Sequence, residues 1–423
     1  MGPSENILER GLLRRAIIPV GGVGSRLYPL TVDTSKAMVR FLNRPLIEFI
    51  VLNLASQGIK EIYFGVSGYT NYVQLFDFFG SGEGITAKLG MGHEVRIRYM
   101  PNYNTRGNAE AVLVTARYYE IRTPVLIVQC DDVIDIDIAA FWRRHRRCGG
   151  VMTIALKEIE SAEELRRFGV VELGEGGVIE RFVEKPQRPE EAPSRLVNTG
   201  TYILDTRAFI SFFDTERGRR LLATGALDFG RDVIPALIEE GYKVRAYEMR
   251  GYWYDIGTPE SYREAVFTLL KTLPPDELRV DFVYGGLRMM GKRELSRRYQ
   301  RRLVARIERG EVSVEGDVLI GRHSRLGKGV KVRDSVIDHY VVVGRDAVIE
   351  DSIIMDRVNI GKKAVLRNSI IGRHVTIDEG AVVEDSIIGD NVYIGREAVI
   401  KSSRIWPHKH VLPKVTLIGA TIT

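Results

Sequence analysis

A repeat of 17 residues near the end of the chain constrains the fold more than any other feature of the sequence. Five serines recur at this spacing, and the first four begin the tripeptides SVI, SII, SII and SII. The members of this series are Ser335, Ser352, Ser369, Ser386 and Ser403. Aliphatic residues repeat in the same frame, and apolar residues fall about every six positions. Three short strands per coil predict a triangular parallel β-helix over residues 312–423.

Glycines often follow the apolar positions of this repeat, and they predict where the chain turns between faces. They are Gly321, Gly327, Gly344, Gly361, Gly389 and Gly395. We expect Gly or Asp/Asn at each corner, where a positive φ is expected, and an apolar side chain pointing inward on each face. Stacks of this kind often serve as contacts between subunits, so we expect a homo-oligomer with β-helix contacts.

The first part of the chain alternates apolar strand-like runs with amphipathic stretches. Residues 15–20 and 61–66 read as buried strands, and residues 45–57 and 109–119 have helical spacing. Further strands are predicted at 95–100, 124–129, 151–156, 169–173, 178–183, 200–204 and 243–248. This alternation predicts an α/β domain with a mostly parallel sheet over residues 14–272.

A basic connector, residues 273–311, joins the two predicted domains. Residues 288–309 carry nine Arg or Lys and two Glu, so their local net charge is +7. This exceeds the net charge of +6 for the whole chain of 423 residues. Because no aromatic stacking pattern accompanies this charge, we favour a solvated, partly helical linker over a nucleic-acid or subunit contact. We therefore expect no nucleic-acid partner.

Targeting and redox signals are sparse. No run approaches 18 apolar residues, and the N-terminal residues lack an apolar core of signal-peptide length. The two cysteines, Cys130 and Cys148, form no zinc motif. We therefore expect a cytoplasmic protein without a membrane partner.

A glycine-rich turn, GGVGSRL, follows the first predicted strand. Such a turn lets backbone N–H groups surround phosphate oxygens. Gly21, Gly22 and Gly24 belong to it, and Arg26 and Lys36 add cations nearby. The spacing is neither a P-loop nor a dinucleotide fingerprint. Two cations beside such a turn nevertheless suit a polyphosphate.

Carboxylates follow a buried strand at Asp131 and Asp132, and a further one, Asp255, lies in GYWYDIGTPE. Ligands of open parallel sheets collect beyond the carboxyl ends of the strands, and Mg²⁺ prefers oxygen ligands. Asp131 and Asp255 are therefore candidate Mg²⁺ ligands, although Asp255 could also be a turn or capping residue.

Polar residues at other predicted strand ends suit a sugar and its phosphate. They are Glu184 and Lys185 in RFVEKP, and Asn198 and Gly200 in VNTGTYIL. Only His93 and His145 lie in the α/β part, and neither is near a Ser or Cys motif. Nucleophilic catalysis that depends on His is therefore disfavoured, and a nucleophile that is already an anion fits better.

These motifs together resemble those of the sugar-1-phosphate nucleotidyltransferases. GGVGSRLYPLTVDTSKAMVRFLNRPLIEFI resembles the N-terminal signature, and FVEKP, VNTGTYIL and YWYDIGTPESY resemble three later ones in the right order. The β-helix is similar to that of the mannose-1-phosphate guanylyltransferase and glucose-1-phosphate adenylyltransferase branches. The resemblance implies a Rossmann-like domain followed by a left-handed parallel β-helix. It also implies transfer of a nucleotidyl group from an NTP to a hexose 1-phosphate with Mg²⁺.

The resemblance also implies roles for individual residues. Gly21, Gly22, Gly24, Asn102, Gly107 and Asn108 would bind the nucleotide. Arg26 would hold the departing pyrophosphate, Lys36 would neutralise the α-phosphate, and Lys185 would hold the sugar phosphate. Gly169, Glu184 and Asn198 would bind the sugar, and Asp131 and Asp255 would bind Mg²⁺.

Some positions depart from the family pattern. Cys130 stands where Gly usually precedes the metal-binding Asp, and RGNAEAV (106–112) replaces the usual base-binding segment. GDP-mannose is the product we expect first, on the resemblance of NRPLIEFI and IWPHK, ahead of ADP-glucose or dTDP-glucose. The departures leave open a regulatory subunit that binds a nucleotide sugar and a partner. A third hypothesis is acyl transfer with His339 or His374 as base, for which a solvent-facing corner His is the favoured alternative.

Overall fold

The computed structural model describes residues 12–89, 94–101, 107–225 and 227–423. The chain forms two compact units. One comprises Met1–Gly22 and Leu46–Asp255, and the other comprises Val23–Pro45 and Ile256–Thr423. We call them the sheet unit and the β-helix unit. The domain limits expected from the sequence (14–272, 273–311 and 312–423) stay a prediction.

The described residues between positions 15 and 272 form thirteen strands and nine α-helices, as the alternating apolar and amphipathic patterns predict. The strands are β1 Arg15–Val20, β2 Arg40–Phe41, β3 Arg44–Pro45, β4 Glu61–Val66, β5 Arg96–Pro101, β6 Val125–Ile127, β7 Asp132–Ile134, β8 Met152–Glu158, β9 Gly169–Leu173, β10 Ile179–Glu184, β11 Leu196–Leu204, β12 Val244–Glu248 and β13 Trp253–Asp255. The helices are α1 Leu46–Ser56, α2 Tyr69–Phe79, α3 Glu83–Leu89, α4 Asn108–Tyr118, α5 Ile138–Cys148, α6 Thr206–Phe212, α7 Glu216–Ala223, α8 Ile234–Glu239 and α9 Pro259–Thr272.

The main sheet of the sheet unit has the order β10-β9-β11-β6-β1-β4-β5, and β8 pairs with both β11 and β12. Strands β6, β1, β4 and β5 are parallel, and so are β8 and β12. The predicted parallel-dominated α/β fold is confirmed. Strand β11 runs antiparallel to β6 and to β8. It therefore carries Asn198 and Gly200 next to the strand that leads to Asp131.

Burial explains why the apolar runs became strands. All residues of β1 after Arg15 are buried, and β6 is wholly buried. Ile17, Ile127 and Ile154 belong to one core cluster with residues of α4 and α8. Strands covered on both faces read as continuous apolar runs, which is how the sequence presents them.

The connector contains α10 Pro275–Leu278, β14 Phe282–Tyr284, β15 Leu287–Met289 and α11 Glu294–Glu308. Helix α11 is the basic segment, and its Leu303 is fully buried in the core of the β-helix. The N–H of Leu326 donates to the Tyr299 hydroxyl at 3.1 Å, and Arg306 donates to the Leu326 carbonyl at 2.7 Å. The predicted helical linker is thus present, and it packs on the β-helix through one face.

The remaining strands are short and repeat along the chain. They are β16 Ser313–Glu315, β17 Val318–Ile320, β18 Arg325–Leu326, β19 Lys331–Arg333, β20 Val336–Ile337, β21 Val342–Val343, β22 Val348–Glu350, β23 Ile353–Ile354, β24 Asn359–Ile360, β25 Val365–Arg367, β26 Ile370–Ile371, β27 Thr376–Ile377, β28 Val382–Glu384, β29 Ile387–Ile388, β30 Tyr393–Ile394, β31 Val399–Lys401, β32 Arg404–Ile405, β33 His410–Val411, β34 Thr416–Ile418 and β35 Thr421–Ile422.

Three sheets of these strands run along the repeat, with β17, β16 and β18 the first repeat strands in each. From β19 onward neighbours are parallel and paired 17 residues apart, as in Ile353↔Ile370 and Ile370↔Ile387. The predicted parallel β-helix is confirmed, and the stacked sheets are consistent with the expected left-handed form.

The serine series forms a buried hydrogen-bond ladder. The hydroxyl of Ser369 donates to the Arg367 carbonyl at 2.7 Å and accepts the N–H of Ser386 at 3.2 Å. Ser352, Ser386 and Ser403 form corresponding bonds one coil away. Serine suits this buried position because its hydroxyl oxygen accepts the N–H of the serine in the next coil, while its own proton goes to a backbone carbonyl of the same coil.

The corner glycines have a different cause from the one we predicted. Gly344 and its equivalents do not have a positive φ. A Cβ on Gly344 would instead lie 2.7 Å from the Lys362 nitrogen of the next coil, and one on Gly361 would lie 2.6 Å from the Glu379 nitrogen. Positive φ falls at residues such as Tyr340 and Lys363, so these corners are not restricted to Gly, Asp and Asn.

Among the described residues, none of the helices has both the length and the apolar character that crossing a membrane requires.

Candidate active site

Three carboxylates converge at one end of the sheet unit. Asp131 follows β6, Asp132 begins β7 and Asp255 ends β13. Strands β7 and β13 are antiparallel and place Asp132 opposite Asp255. One oxygen from each of the three carboxylates lies within 4.8 Å of the others. The structure therefore brings together Asp131 and Asp255, which the sequence proposed as a pair, and adds Asp132 to them.

Neighbouring groups hold these carboxylates in place. The indole N–H of Trp253 donates to Oδ1 of Asp132 at 3.2 Å, and the Arg167 guanidinium lies 3.7 Å from Oδ2 of Asp255. Asp132 is only 4% exposed. A buried carboxylate among two others is unfavourable unless cations compensate it, so this arrangement suits a bound divalent cation. The oxygen-only donor set fits Mg²⁺.

Gly200 allows this close packing. Its φ of 75° is in the left-handed region, and a Cβ there would lie 2.8 Å from Cγ of Gln129 and 2.9 Å from Oδ2 of Asp132. The Gln129 amide donates to the Gly200 carbonyl at 3.3 Å. A side chain at position 200 would therefore push on the segment that carries the carboxylates.

The residues predicted to bind the sugar meet at β9, β10 and β11. Gly169 is paired with Glu184, and a Cβ on Gly169 would lie 2.8 Å from Oε2 of Glu184. Asn198 donates from Nδ2 to the Tyr202 hydroxyl at 3.0 Å and accepts the N–H of Gly200 at 2.9 Å. Burial raises the pKa of Glu184, with Lys185 acting in the opposite direction.

Lys185 lies at the end of β10 in an uncommon backbone conformation. Its φ is 47°, and its N–H donates to the Phe168 carbonyl at 3.1 Å. Its Nζ lies 3.5 Å from Oε1 of Glu184. Positive φ at a residue other than Gly, Asn or Asp costs free energy and is enriched at functional sites. The phosphate-binding role of Lys185 that the resemblance implies stays a prediction.

A segment that we did not single out from the sequence completes this part of the site. Residues Phe229–Val233 form a π-helix, which Asp228 caps by accepting the N–H groups of Gly230 and Arg231. A Cβ on Gly230 would lie 2.4 Å from Oε2 of Glu184. The signal in the sequence was the short DFGRD segment between apolar residues, which carries no periodicity.

The same segment contacts the predicted base-binding residues. Oδ1 of Asn108 accepts the N–H of Phe229 at 3.0 Å. A Cβ on Gly107 would lie 2.0 Å from the Leu227 carbonyl oxygen, so only glycine fits there without a shift. Asn102, the third predicted residue of this set, lies outside the described residues. Residues 227–230 therefore contact Gly107 and Asn108 on one side and Glu184 on the other.

The glycine-rich turn lies where the chain passes from one unit to the other. Gly21 and Gly22 belong to the sheet unit, and Gly24, Arg26 and Lys36 belong to the β-helix unit. Gly22 and Gly24 have φ of 84° and 65°, so the turn uses the left-handed conformations that glycine permits. A Cβ on Gly21 would lie 3.1 Å from Cβ of Ser67.

Arg26 and Lys36 each lie in a single turn of 3-10 helix. These turns are Ser25–Leu27 and Lys36–Met38. Arg26 is exposed and Lys36 is half-buried. Thr31 supports the turn, because its hydroxyl donates to the Gly24 carbonyl at 2.7 Å.

The α/β sheet carries its carboxylate cluster at strand ends, where open parallel sheets bind their ligands and where a cation that prefers oxygen ligands would fit. Comparison with known proteins gives the family. The profile of the family described as nucleotidyl transferase matches residues 15–272, and the one described as GMPPB C-terminal domain matches residues 310–418. The chain belongs to the nucleotidyl transferase family, and within it to the sugar-1-phosphate nucleotidyltransferases.

Curated relatives match most of the chain. A glucose-1-phosphate adenylyltransferase of Geobacter metallireducens is 30% identical over 81% of this chain and 85% of its own length. One from Bacillus cereus is 29% identical over 80% of this chain and 90% of its own. One from Thermus thermophilus is 31% identical over 62% of this chain and 68% of its own.

Proposed function

We propose that the protein transfers an adenylyl group from ATP to glucose 1-phosphate, giving ADP-glucose and pyrophosphate. A phosphate oxygen of the sugar phosphate attacks the α-phosphorus of the nucleotide, and the bond from that phosphorus to the bridging oxygen of the β-phosphate breaks. The nucleophile is already an anion, so no side chain has to remove a proton from it. Catalysis then consists of positioning and charge neutralisation.

The convergence of Asp131, Asp132 and Asp255 is the observation that supports this proposal most directly. Mg²⁺ bound at Asp131 and Asp255 would supply charge neutralisation for the phosphates. Asp132 is buried and accepts a hydrogen bond from Trp253, so we assign it to orienting the other two. Arg167, 3.7 Å from Asp255, limits the negative charge of the cluster.

The other residues bind and orient the two substrates. Gly21, Gly22 and Gly24 would leave backbone N–H groups open to the nucleotide, with Gly107 and Asn108 near its base. Arg26 would hold the departing pyrophosphate and Lys36 the α-phosphate. Lys185 would hold the sugar phosphate, while Gly169, Glu184 and Asn198 contact the sugar. Gly230 leaves space beside the Glu184 carboxylate, which a larger side chain would occupy.

The choice of ATP and glucose 1-phosphate is supported by the relatives that match about four fifths of the chain. It replaces GDP-mannose as the first expectation. GTP and mannose 1-phosphate remain the second candidate pair, on the resemblance of NRPLIEFI and IWPHK.

A matrix of five NTPs against five sugar 1-phosphates, read by pyrophosphate release with and without Mg²⁺, tests the proposal. We expect the highest kcat/KM with ATP and glucose 1-phosphate and no turnover after chelation of the metal. Preference for GTP and mannose 1-phosphate would favour the second pair. Release with none of the pairs would support the regulatory subunit that Cys130 and the 106–112 segment left open.

We also propose that the chain forms a homo-oligomer through the β-helix. Light scattering of the whole chain tests this, with a mass that is a multiple of the single chain's 47.7 kDa expected and the mass of one chain contradicting it.

A further inference from the structure

The segment that carries Arg26 and Lys36 packs on the β-helix. Residues 23–45, which we call the signature segment, belong to the β-helix unit although the chain reaches the repeat only after position 310. Its contacts extend from Asn43, whose amide donates to the Ile337 carbonyl at 3.1 Å, to Tyr28, whose ring meets that of Trp406 at 5.0 Å. The segment therefore touches successive coils of the stack.

Arg40 provides the first anchor of the signature segment. Its Nε and one terminal nitrogen donate to the two carboxylate oxygens of Asp338 at 2.6 and 2.8 Å. The Asp338 side chain is only 2% exposed, and Asp356 lies 3.8 Å from the same guanidinium. The Arg40 carbonyl in turn accepts the Tyr262 hydroxyl at 2.6 Å. A bidentate pair of this kind fixes both distance and orientation.

Arg373 provides the second anchor, about two coils further along the β-helix than Asp338, the partner of Arg40. It donates to Oδ2 of Asp390 from Nε at 2.8 Å and from a terminal nitrogen at 2.6 Å. The same terminal nitrogen donates to the Thr34 hydroxyl at 2.5 Å. Thr34 and Asp390 are 6% and 5% exposed, so water does not compete strongly with these bonds.

The two anchors lie on either side of Lys36, two residues before it at Thr34 and four after it at Arg40. A third contact is exposed to solvent, where Nε2 of His408 is 3.0 Å from Oδ2 of Asp33. Ala37, directly after Lys36, is fully buried. The backbone around Lys36 is thus held at both ends by side chains of the β-helix.

We propose that Asp338, Arg373 and Asp390 are positioning residues, through which the β-helix holds Lys36 and Arg26 in place for the nucleotide phosphates. This role rests on the proposed nucleotidyl transfer. A displacement of about 1 Å in a catalytic group can cost about a hundredfold in rate, so anchors of this kind affect catalysis without touching substrate. The β-helix is then part of the catalytic machinery as well as a candidate subunit contact.

Purely structural anchors would give a different result from positioning anchors. Loss of a structural anchor lowers the melting temperature and the amount of active enzyme, and leaves the KM values of the remaining enzyme unchanged. Loss of a positioning anchor changes the KM for the nucleotide and kcat at a temperature where the enzyme is fully folded.

The test uses Asp390→Asn and Asp338→Asn in the full chain, with Glu384→Gln as the matched control. Glu384 is also an ion-pair carboxylate of the β-helix, 2.8 Å from Lys401, but it does not contact the signature segment among the described residues. We measure kcat, both KM values, the melting temperature, and hydrogen exchange of residues 23–45.

We expect kcat/KM for the nucleotide to fall about a hundredfold in each anchor variant, with faster exchange in the signature segment. The KM for the sugar phosphate stays unchanged, and Glu384→Gln behaves as wild type. Arg373→Lys, which keeps the charge, restores part of the loss seen in Arg373→Met.

Unchanged KM and kcat in folded anchor variants of an active wild-type enzyme would overturn the positioning role and leave the proposed function standing. An equal rise in both KM values would also overturn it. Wild-type protein that releases pyrophosphate with no substrate pair overturns the proposed function and the positioning role together.

Discussion

Buried polar side chains are arranged in opposite ways in the two parts of the molecule. In the β-helix, each serine of the ladder bonds to the backbone of its own coil and of the next, so these buried hydroxyls have repeated partners. In the sheet unit, Asp131, Asp132 and Asp255 present like charges to one another. Repetition satisfies polar groups internally, whereas convergence leaves charge for a cation or substrate to neutralise.

The charged surface of the β-helix follows the same repetition. Arg333, Glu350, Arg367, Glu384 and Lys401 alternate in sign at equivalent positions of successive coils, with N–O distances of 3.8, 2.9, 3.0 and 2.8 Å. Each coil therefore finds an opposite charge on the next coil at the correct register. The sheet unit has no such series among its described residues, because its site joins elements that are far apart in sequence.

The largest effect we predict removes one charge from the convergent cluster. Asp131→Asn should lower kcat by about a thousandfold or more, because charge neutralisation at the phosphates accounts for several kcal/mol of barrier. Circular dichroism and the melting temperature should stay close to wild type. Asp214→Asn, an equivalent change at an exposed carboxylate, is the control. Normal pyrophosphate release from Asp131→Asn would mean that the cluster is not the metal site.

The second prediction concerns the protonation of His339, which adds a positive charge to the β-helix at low pH. His339 accepts the N–H of Arg322 at Nδ1 with a distance of 2.9 Å, and burial lowers its pKa to about 4. The unfolded chain, with an ordinary His pKa of about 6.5, binds the proton more readily, so stability is lost as pH falls from about 6.5 towards 4. We expect a loss of about 2 kcal/mol in the free energy of unfolding by pH 5.

Urea unfolding at pH 7.5 and pH 5 measures this loss. The difference between the two pH values should shrink in His339→Gln and stay at its wild-type size in His410→Gln, which changes an exposed histidine. An undiminished difference in His339→Gln would assign the acid sensitivity to another group.

The third prediction removes one member of the serine ladder. Ser369→Ala should lower the free energy of unfolding by about 1–2 kcal/mol, because it leaves the N–H of Ser386 without its partner. Ser402→Ala, at an exposed corner, should have little effect. Equal urea midpoints for the two variants would show that the buried ladder contributes no more than a surface hydroxyl.

The smallest effect that we predict concerns the exposed series of alternating charges from Arg333 to Lys401. Hydrogen bonds from Lys401 and Arg367 lower the pKa of Glu384, but the pairs are open to solvent and salt. Glu384→Gln should therefore cost less than about 0.5 kcal/mol in low salt, and less in high salt. A cost that persists in 1 M salt would argue for a structural role beyond the ion pairs.

The sequence predicted the parts of the site that lie in short motifs. Asp131 ends an apolar run, and Lys185 and Asn198 end or occupy alternating strands, so strand periodicity already placed them at sheet edges. Asp132 was seen in the sequence but not as a member of the cluster. Its inclusion depends on the pairing of β7 with β13, which joins residues more than a hundred positions apart.

The π-helix Phe229–Val233 and the corner glycines show the limits of local patterns. No periodicity in the sequence predicts a π-helix, and we include it in the site only because the Glu184 carboxylate packs against Gly230. The corner glycines were visible, but the sequence alone suggested a positive φ as their cause. Close approach of the next coil is a tertiary distance, and only the stacked structure reveals it.

By itself the sequence determined the β-helix, because a 17-residue period fixes which side chains point inward and which coil each strand pairs with. It also determined the order of the α/β elements and most residues of the candidate site. The tertiary structure decided which distant residues meet. It joined Asp132 to Asp255 and set Arg40 on Asp338 and Thr34 beside Arg373. The physical reason is that periodicity encodes contacts between equivalent positions, whereas contacts between unlike elements depend on the packing of the folded chain.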